Sequence, residues 1–100
     1  MKFLVTGTPQ APIPPEMGAG LYEAATAWMD ERLADGRLDC HYVFPDQGGF
    51  AISNASSHEQ VFAEILSYPL SGFFKWEARP LCDWKETYGT LIRLFTELAG

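Results

Sequence analysis

The sequence predicts an α+β domain in which strands and helices alternate as βαββαβ, with one more helix after the last strand. Three observations carry this. Short segments with apolar–polar alternation start near Lys2, Arg37, Phe50 and Phe73. Two stretches with apolar residues at helical spacing separate them. A third such stretch, Trp84 to Ala99, closes the chain.

Lys2 to Thr6 reads as a short strand closed by Gly7. Thr8 to Pro15 carries four prolines in eight residues, which forbids a helix or a central strand and makes a surface loop. Pro15 suits the first turn of a helix. From Glu16 to Asp35, Met17, Leu21, Ala24 and Trp28 recur at spacings of four, three and four, widened by Ala25, Met29 and Leu33. Gly36 stops that helix. Arg37 to Phe44 alternates, with Leu38, Cys40, Tyr42 and Phe44 on one face and Asp39, His41 and Val43 on the other. Pro45 to Gly49 is a turn, and Phe50 to Asn54 completes a hairpin.

Ser56 and Glu59 have capping-box spacing ahead of Val61, Phe62, Ile65 and Leu66, and Pro69 ends this second helix. Phe73 to Leu81 is an edge strand. Phe74, Trp76 and Ala78 face one way, and Lys75, Glu77 and Arg79 the other. Asp83 caps the last helix, whose apolar stripe is Tyr88, Leu91, Ile92, Phe95 and Leu98. The order matches the ferredoxin-like split βαβ arrangement, an antiparallel sheet in the order 4-1-3-2 with both crossover helices on one face. The other face is open and must be solvated, bind something or pack against another subunit.

The 100 residues make a single domain, 47% hydrophobic and 14% aromatic, which suffices for a packed core. A net charge of −6 argues against nucleic acid as a partner. It does not exclude a small anion, because residues 73–85 carry Lys75, Arg79 and Lys85 against Glu77 and Asp83. No apolar run approaches the ~20 residues of a membrane span. Thr6 to Pro9 interrupts the apolar start too early for a secretory signal. Cys40 and Cys82 match neither a redox pair nor a zinc site, so a cytoplasmic protein without metal or cofactor is expected. Gly48-Gly49 lacks the lysine and helix of a phosphate loop.

With the apolar stripes turned toward the helices, the open face gathers Asp39, His41 and Val43 from strand two and Lys75, Glu77 and Arg79 from strand four. The central strands add Leu4 and Thr6, together with either Ala51 and Ser53 or Phe50 and Ile52. If a second subunit covers this face, its titratable groups become partly buried, which is where proton chemistry becomes possible. The simpler alternative is that the alternating charges meet water and deter edge pairing.

The segment Tyr68 to Cys82 resembles the C-terminal part of muconolactone Δ-isomerases. There a Pro-Leu follows the second helix, an aromatic opens the strand, a glutamate stands mid-strand and Leu-Cys closes it. Met1 to Val5, the Pro-x-x-Met of Pro14 to Met17, Gly36 and Gly49 are also similar. The resemblance implies a dimeric α/β barrel, packed open face to open face, and cofactor-independent proton transfer within a small carboxylated lactone. It implies Glu77 and His41 as the catalytic pair. Asp39, Tyr42 and Val43 stand where the family carries basic residues, and the long last helix departs from its short polar tail.

Such an isomerisation needs a base for a carbon-bound proton, Glu77 or His41. It needs a cation for the carboxylate, Arg79 with Lys75 in reserve. It needs a hydroxyl for the enolate oxygen, from Tyr42, Ser53 or Thr6. The alternative is a non-catalytic ligand-binding or oligomerisation module of the same barrel type. Self-association through the open face and the last helix is expected in either case.

Overall fold

The computed structural model describes all 100 residues. Its elements are β1 (Lys2–Pro9), α1 (Pro15–Asp35), β2 (Leu38–Val43), β3 (Gly49–Asn54), α2 (His58–Ser67), β4 (Phe74–Leu81) and α3 (Trp84–Ala99), with a 3-10 turn at Ser71–Phe73 before β4. All strand pairs are antiparallel, and the sheet order is β2-β3-β1-β4. The expected α+β topology is therefore the one found.

Local signals place most of the boundaries. Gly36 ends α1 with φ 83°, a left-handed conformation that glycine adopts without cost. The Asp83 carboxylate accepts from the Glu86 amide at 2.9 Å and starts α3. Two boundaries differ from expectation. The α2 cap is Ser57, whose hydroxyl accepts from the Gln60 amide at 3.1 Å. Ser56 instead donates its amide to the Gln60 side chain at 2.6 Å. β1 runs three residues further than its sequence suggests, pairing Gly7, Thr8 and Pro9 with Trp76, Lys75 and Phe74. Pro9 is tolerated because it closes the strand, where the ladder needs no N–H from it.

The core lies between the sheet and α2. Phe3 and Leu70 are fully buried, and Phe3, Val5, Ala55 and Val61 cluster with Ile65 and Trp76 packed against them. Helix α1 takes little part, since Ala25 is its only buried residue. Helix α3 buries none of its residues and projects from the body, so that the whole molecule measures 66 × 28 × 23 Å. The radius of gyration is 17.4 Å, against about 13 Å for a compact chain of this length.

One irregularity sets the faces of β2. Leu38 pairs with Ser53, but Cys40 pairs with Ile52, so Asp39 is an extra residue in the strand. Such a bulge turns every later side chain to the other face. Leu38 stays on the helix side. Cys40 and Tyr42 move to the open face, opposite Ile52 and Phe50, while His41 and Val43 move to the helix side, opposite Ala51 and Gly49. The even alternation read from the sequence, with Cys40 and Tyr42 inward and His41 outward, is corrected accordingly; Phe44 lies beyond the end of β2.

The bulge is pinned by polar contacts. Lys2 donates to both Asp39 and Asn54, and the Asn54 side-chain amide donates to Asp39 at 2.6 Å and to the Gly36 carbonyl at 2.9 Å. The Lys2 ammonium first, and the Asn54 amide second, hold the Asp39 carboxyl below the usual carboxylate range. A depressed carboxyl stabilises the fold above its unfolded value of about 3.9, and that contribution is lost as pH falls toward the folded value. The melting-temperature gap between the wild type and Asp39→Ala should therefore be widest at neutral pH and shrink below about pH 4. A gap constant from neutral to acidic pH would show that the carboxylate does not hold the bulge.

Candidate active site

Because α1 stands off the sheet, a cleft of about 820 Å³ opens between the helix side of the sheet and the helices. Its floor is β1 and β3 at Val5, Gly7, Ala51 and Ser53, with Leu38, His41 and Val43 of β2 along one side. Its far wall is aromatic. Trp28 meets Tyr68 edge-on at 4.9 Å, Tyr68 meets Trp76 at 5.8 Å, and Phe74 flanks Trp76 at 5.8 Å. Edge-to-face contacts of this kind hold rings at fixed angles.

Gly7 makes room for the wall. A Cβ at this position would lie 2.7 Å from the Trp76 ring, so any larger residue would displace the indole. The Trp76 Nε1 donates to the Ser71 carbonyl at 2.9 Å, which fixes the ring in plane. At the Trp28 end of the wall α1 is tied to α2 by polar contacts. Trp28 Nε1 donates to the Ser67 hydroxyl at 3.1 Å, and Arg32 Nε donates to Glu64 at 2.6 Å. The Pro-rich loop is anchored by the Gln10 and Ala11 amides, which both donate to the Phe73 carbonyl.

His41 lines the cleft from β2. Its Nδ1 lies 3.1 Å from the Phe50 carbonyl oxygen. A carbonyl only accepts, so Nδ1 bears the proton, and Nε2 of the neutral ring is left as a proton acceptor. Ser53 is buried at 3% exposure and lines the same cleft. Tyr68 also lines it, and burial pushes its phenol above the usual range, with Tyr22 adding to the shift. At neutral pH the Tyr68 hydroxyl is therefore a donor, not a base.

The residues singled out from the sequence divide between two faces. His41 and Ser53 share the cleft. Glu77, Arg79 and Lys75 alternate onto the open face, where Glu77 and Arg79 oppose Thr6 and Leu4 of β1. Tyr42 is there too, beside Phe50, with 5.9 Å between ring centroids. The sheet stands between the two sets, so His41 and Glu77 do not meet within one chain. The bulge is the cause, and no alternation rule reveals it. Tyr68, Trp28 and Trp76 form the wall, the two tryptophans coming from the apolar stripe of α1 and the inward face of β4. Their signal was the density of aromatics flanking Pro69 and within α1. No three side chains of the metal-ligating types converge anywhere in the chain.

Comparison with solved structures settles the architecture. A muconolactone isomerase superposes with a TM-score of 0.74 at 17% identity, over 83% of this chain and 90% of the other. The fold is that of muconolactone isomerase. A 5-chloro-2-hydroxyhydroquinone dehydrochlorinase from Burkholderia phenoliruptrix, in complex with 2,5-dihydroxybenzoquinone, superposes at 0.66 with 18% identity, over 86% of this chain and 98% of the other. No protein-family model and no curated protein matches by sequence. The muconolactone isomerase resemblance read from Tyr68 to Cys82 is thus matched in structure. No helix is long and apolar enough to cross a membrane.

Proposed function

We propose that this protein is a cofactor-independent enzyme that moves a proton within a small ring compound, a lactone or a related ring, bound in the cleft. The observation that carries the reading is the His41 ring, committed at Nδ1 to the Phe50 carbonyl and lining an apolar cleft. Nε2 takes a proton from a ring carbon next to a carbonyl. The electron pair of the broken C–H bond passes into that carbonyl as an enolate, and the Ser53 or Tyr68 hydroxyl donates to its oxygen. The imidazolium then returns the proton to the far carbon of the C=C bond conjugated with the enolate, and the double bond moves into conjugation with the carbonyl.

The two structural relatives give this reading its substrate class, since both are named for chemistry on small rings. A barrel filled by its own side chains would leave no such space, so the cleft speaks against the purely structural alternative. Self-association belongs to the same reading. Only ten of the 100 residues are buried, and two open faces packed together would cover Leu4, Phe50 and Ile52. In that arrangement Glu77, Arg79, Lys75 and Tyr42 border the interface. Cys40 and Cys82 are both free thiols, in keeping with a reducing cytoplasm.

The test is proton exchange. The full chain is incubated with a panel of unsaturated γ-lactones in deuterated water, and label uptake is followed by NMR together with double-bond position. Uptake at the carbon next to the carbonyl, above the protein-free rate, is expected for at least one lactone. Binding without exchange across the panel would make the protein a ligand-binding module instead.

A further inference from the structure

The distribution of charge around the cleft points to the kind of ring it takes, an inference that rests on the cleft being the substrate site. The chain has seven basic side chains, and none lines the cleft. Lys75 and Arg79 lie on the opposite face of the sheet. Lys85 and Arg93 belong to α3. Lys2 is held by Asp39 and Asn54. Arg37 is shared among Glu31, Asp35 and Glu64. Arg32, the basic group nearest the wall, is spent on Glu64 and sits over the Trp28 ring, 3.9 Å from its centroid.

The charged groups that do line the cleft are acidic. Glu64 is matched by its two arginines, while Asp30, exposed on α1, has no ion-pair partner. A carboxylate entering this space would give up its hydration and meet no free cation, with Asp30 repelling it at the rim. An uncharged ring would lose little on entry and gain contact with the Trp28, Tyr68 and Trp76 wall. Its one polar demand, a carbonyl or phenolic oxygen, is met by the Ser53 or Tyr68 hydroxyl.

We infer that the cleft selects an uncharged, planar ring bearing a carbonyl or phenolic oxygen, and rejects the carboxylate-bearing counterpart. This narrows the carboxylated lactone expected from the sequence. That expectation relied on Arg79 to grip the carboxylate, and Arg79 stands on the far side of the sheet.

The experiment compares matched ligands on the full chain at neutral pH. The probes are an unsaturated γ-lactone carrying an acetic acid side chain and the methyl ester of the same lactone. Affinity is read by calorimetry and by quenching of the cleft tryptophans. The ester should bind at least ~10-fold more tightly than the acid. Val43→Arg places a cation on the cleft side of β2 at a largely exposed position, and should narrow or reverse that ratio by raising affinity for the acid. Equal or tighter binding of the acid by the wild type would overturn the ligand class and leave the cleft standing as a ring site. Failure of both probes to bind either folded protein would overturn the ring site itself, and this inference with it.

Discussion

His41→Ala should lower the rate of proton exchange by about 10²–10⁴-fold, the range for losing a positioned general base, while the affinity for an inert ring ligand stays close to that of the wild type. The separation follows from the geometry. The aromatic wall and the sheet floor supply most of the contact area that binds a ring, and His41 adds only part of one side. What His41 supplies is an acceptor whose tautomer is already chosen by the Phe50 carbonyl at 3.1 Å. His41→Gln is the sharper variant. Glutamine can still donate to that carbonyl and preserve the strand, but it has no basic nitrogen. It should therefore show the same rate loss as alanine. Rescue of exchange by glutamine would reduce His41 to a structural role. An alanine variant as active as the wild type would move the base elsewhere.

Much of this arrangement was legible in the sequence, and the two main exceptions are the faces of β2 and the cleft. Alternation gave four strands, helical spacing gave three helices, and Gly36 and Asp83 marked boundaries that the structure keeps. The inward set on β4, Phe74, Trp76 and Ala78, is also as expected, because β4 pairs with β1 without interruption. β2 was misread from Asp39 onward. A bulge costs one residue and leaves no mark in the hydrophobic pattern, since Cys40 and Tyr42 are as plausible inside as His41 and Val43. What selects it here is long-range, the contacts of Asp39 with Lys2 and Asn54, which lie 37 and 15 residues away in sequence. The cleft was equally hidden. Periodicity marks one face of α1 as apolar, but it does not say whether that face touches the sheet or stands off it.

Deleting residues 84–100 should convert a self-associated protein into a folded monomer, seen as a fall in mass by light scattering with the strand signals of the sheet intact. The domain should survive because α3 buries none of its residues, and its starting cap, Asp83 to the Glu86 amide, serves α3 alone. Association should not survive, because α3 as it stands is not a self-sufficient element. A 16-residue helix is marginal in water on propensity alone. Trp84 at 65%, Ile92 at 66%, Phe95 at 65% and Leu98 at 73% exposure leave its stripe uncovered. Trp84, Tyr88, Leu91, Phe95 and Leu98 follow each other at spacings of four, three, four and three, the seam of helices that pack along their length. Burying such a seam is worth on the order of 10 kcal/mol before the entropy of association is subtracted. That is enough to hold the helix and its partner together, and nothing in the chain's own body supplies that partner. The double variant Leu91→Glu with Phe95→Glu keeps the helix length and removes only the seam, so it should match the deletion. If both proteins keep the wild-type mass, the open sheet face alone carries the assembly and α3 has some other partner.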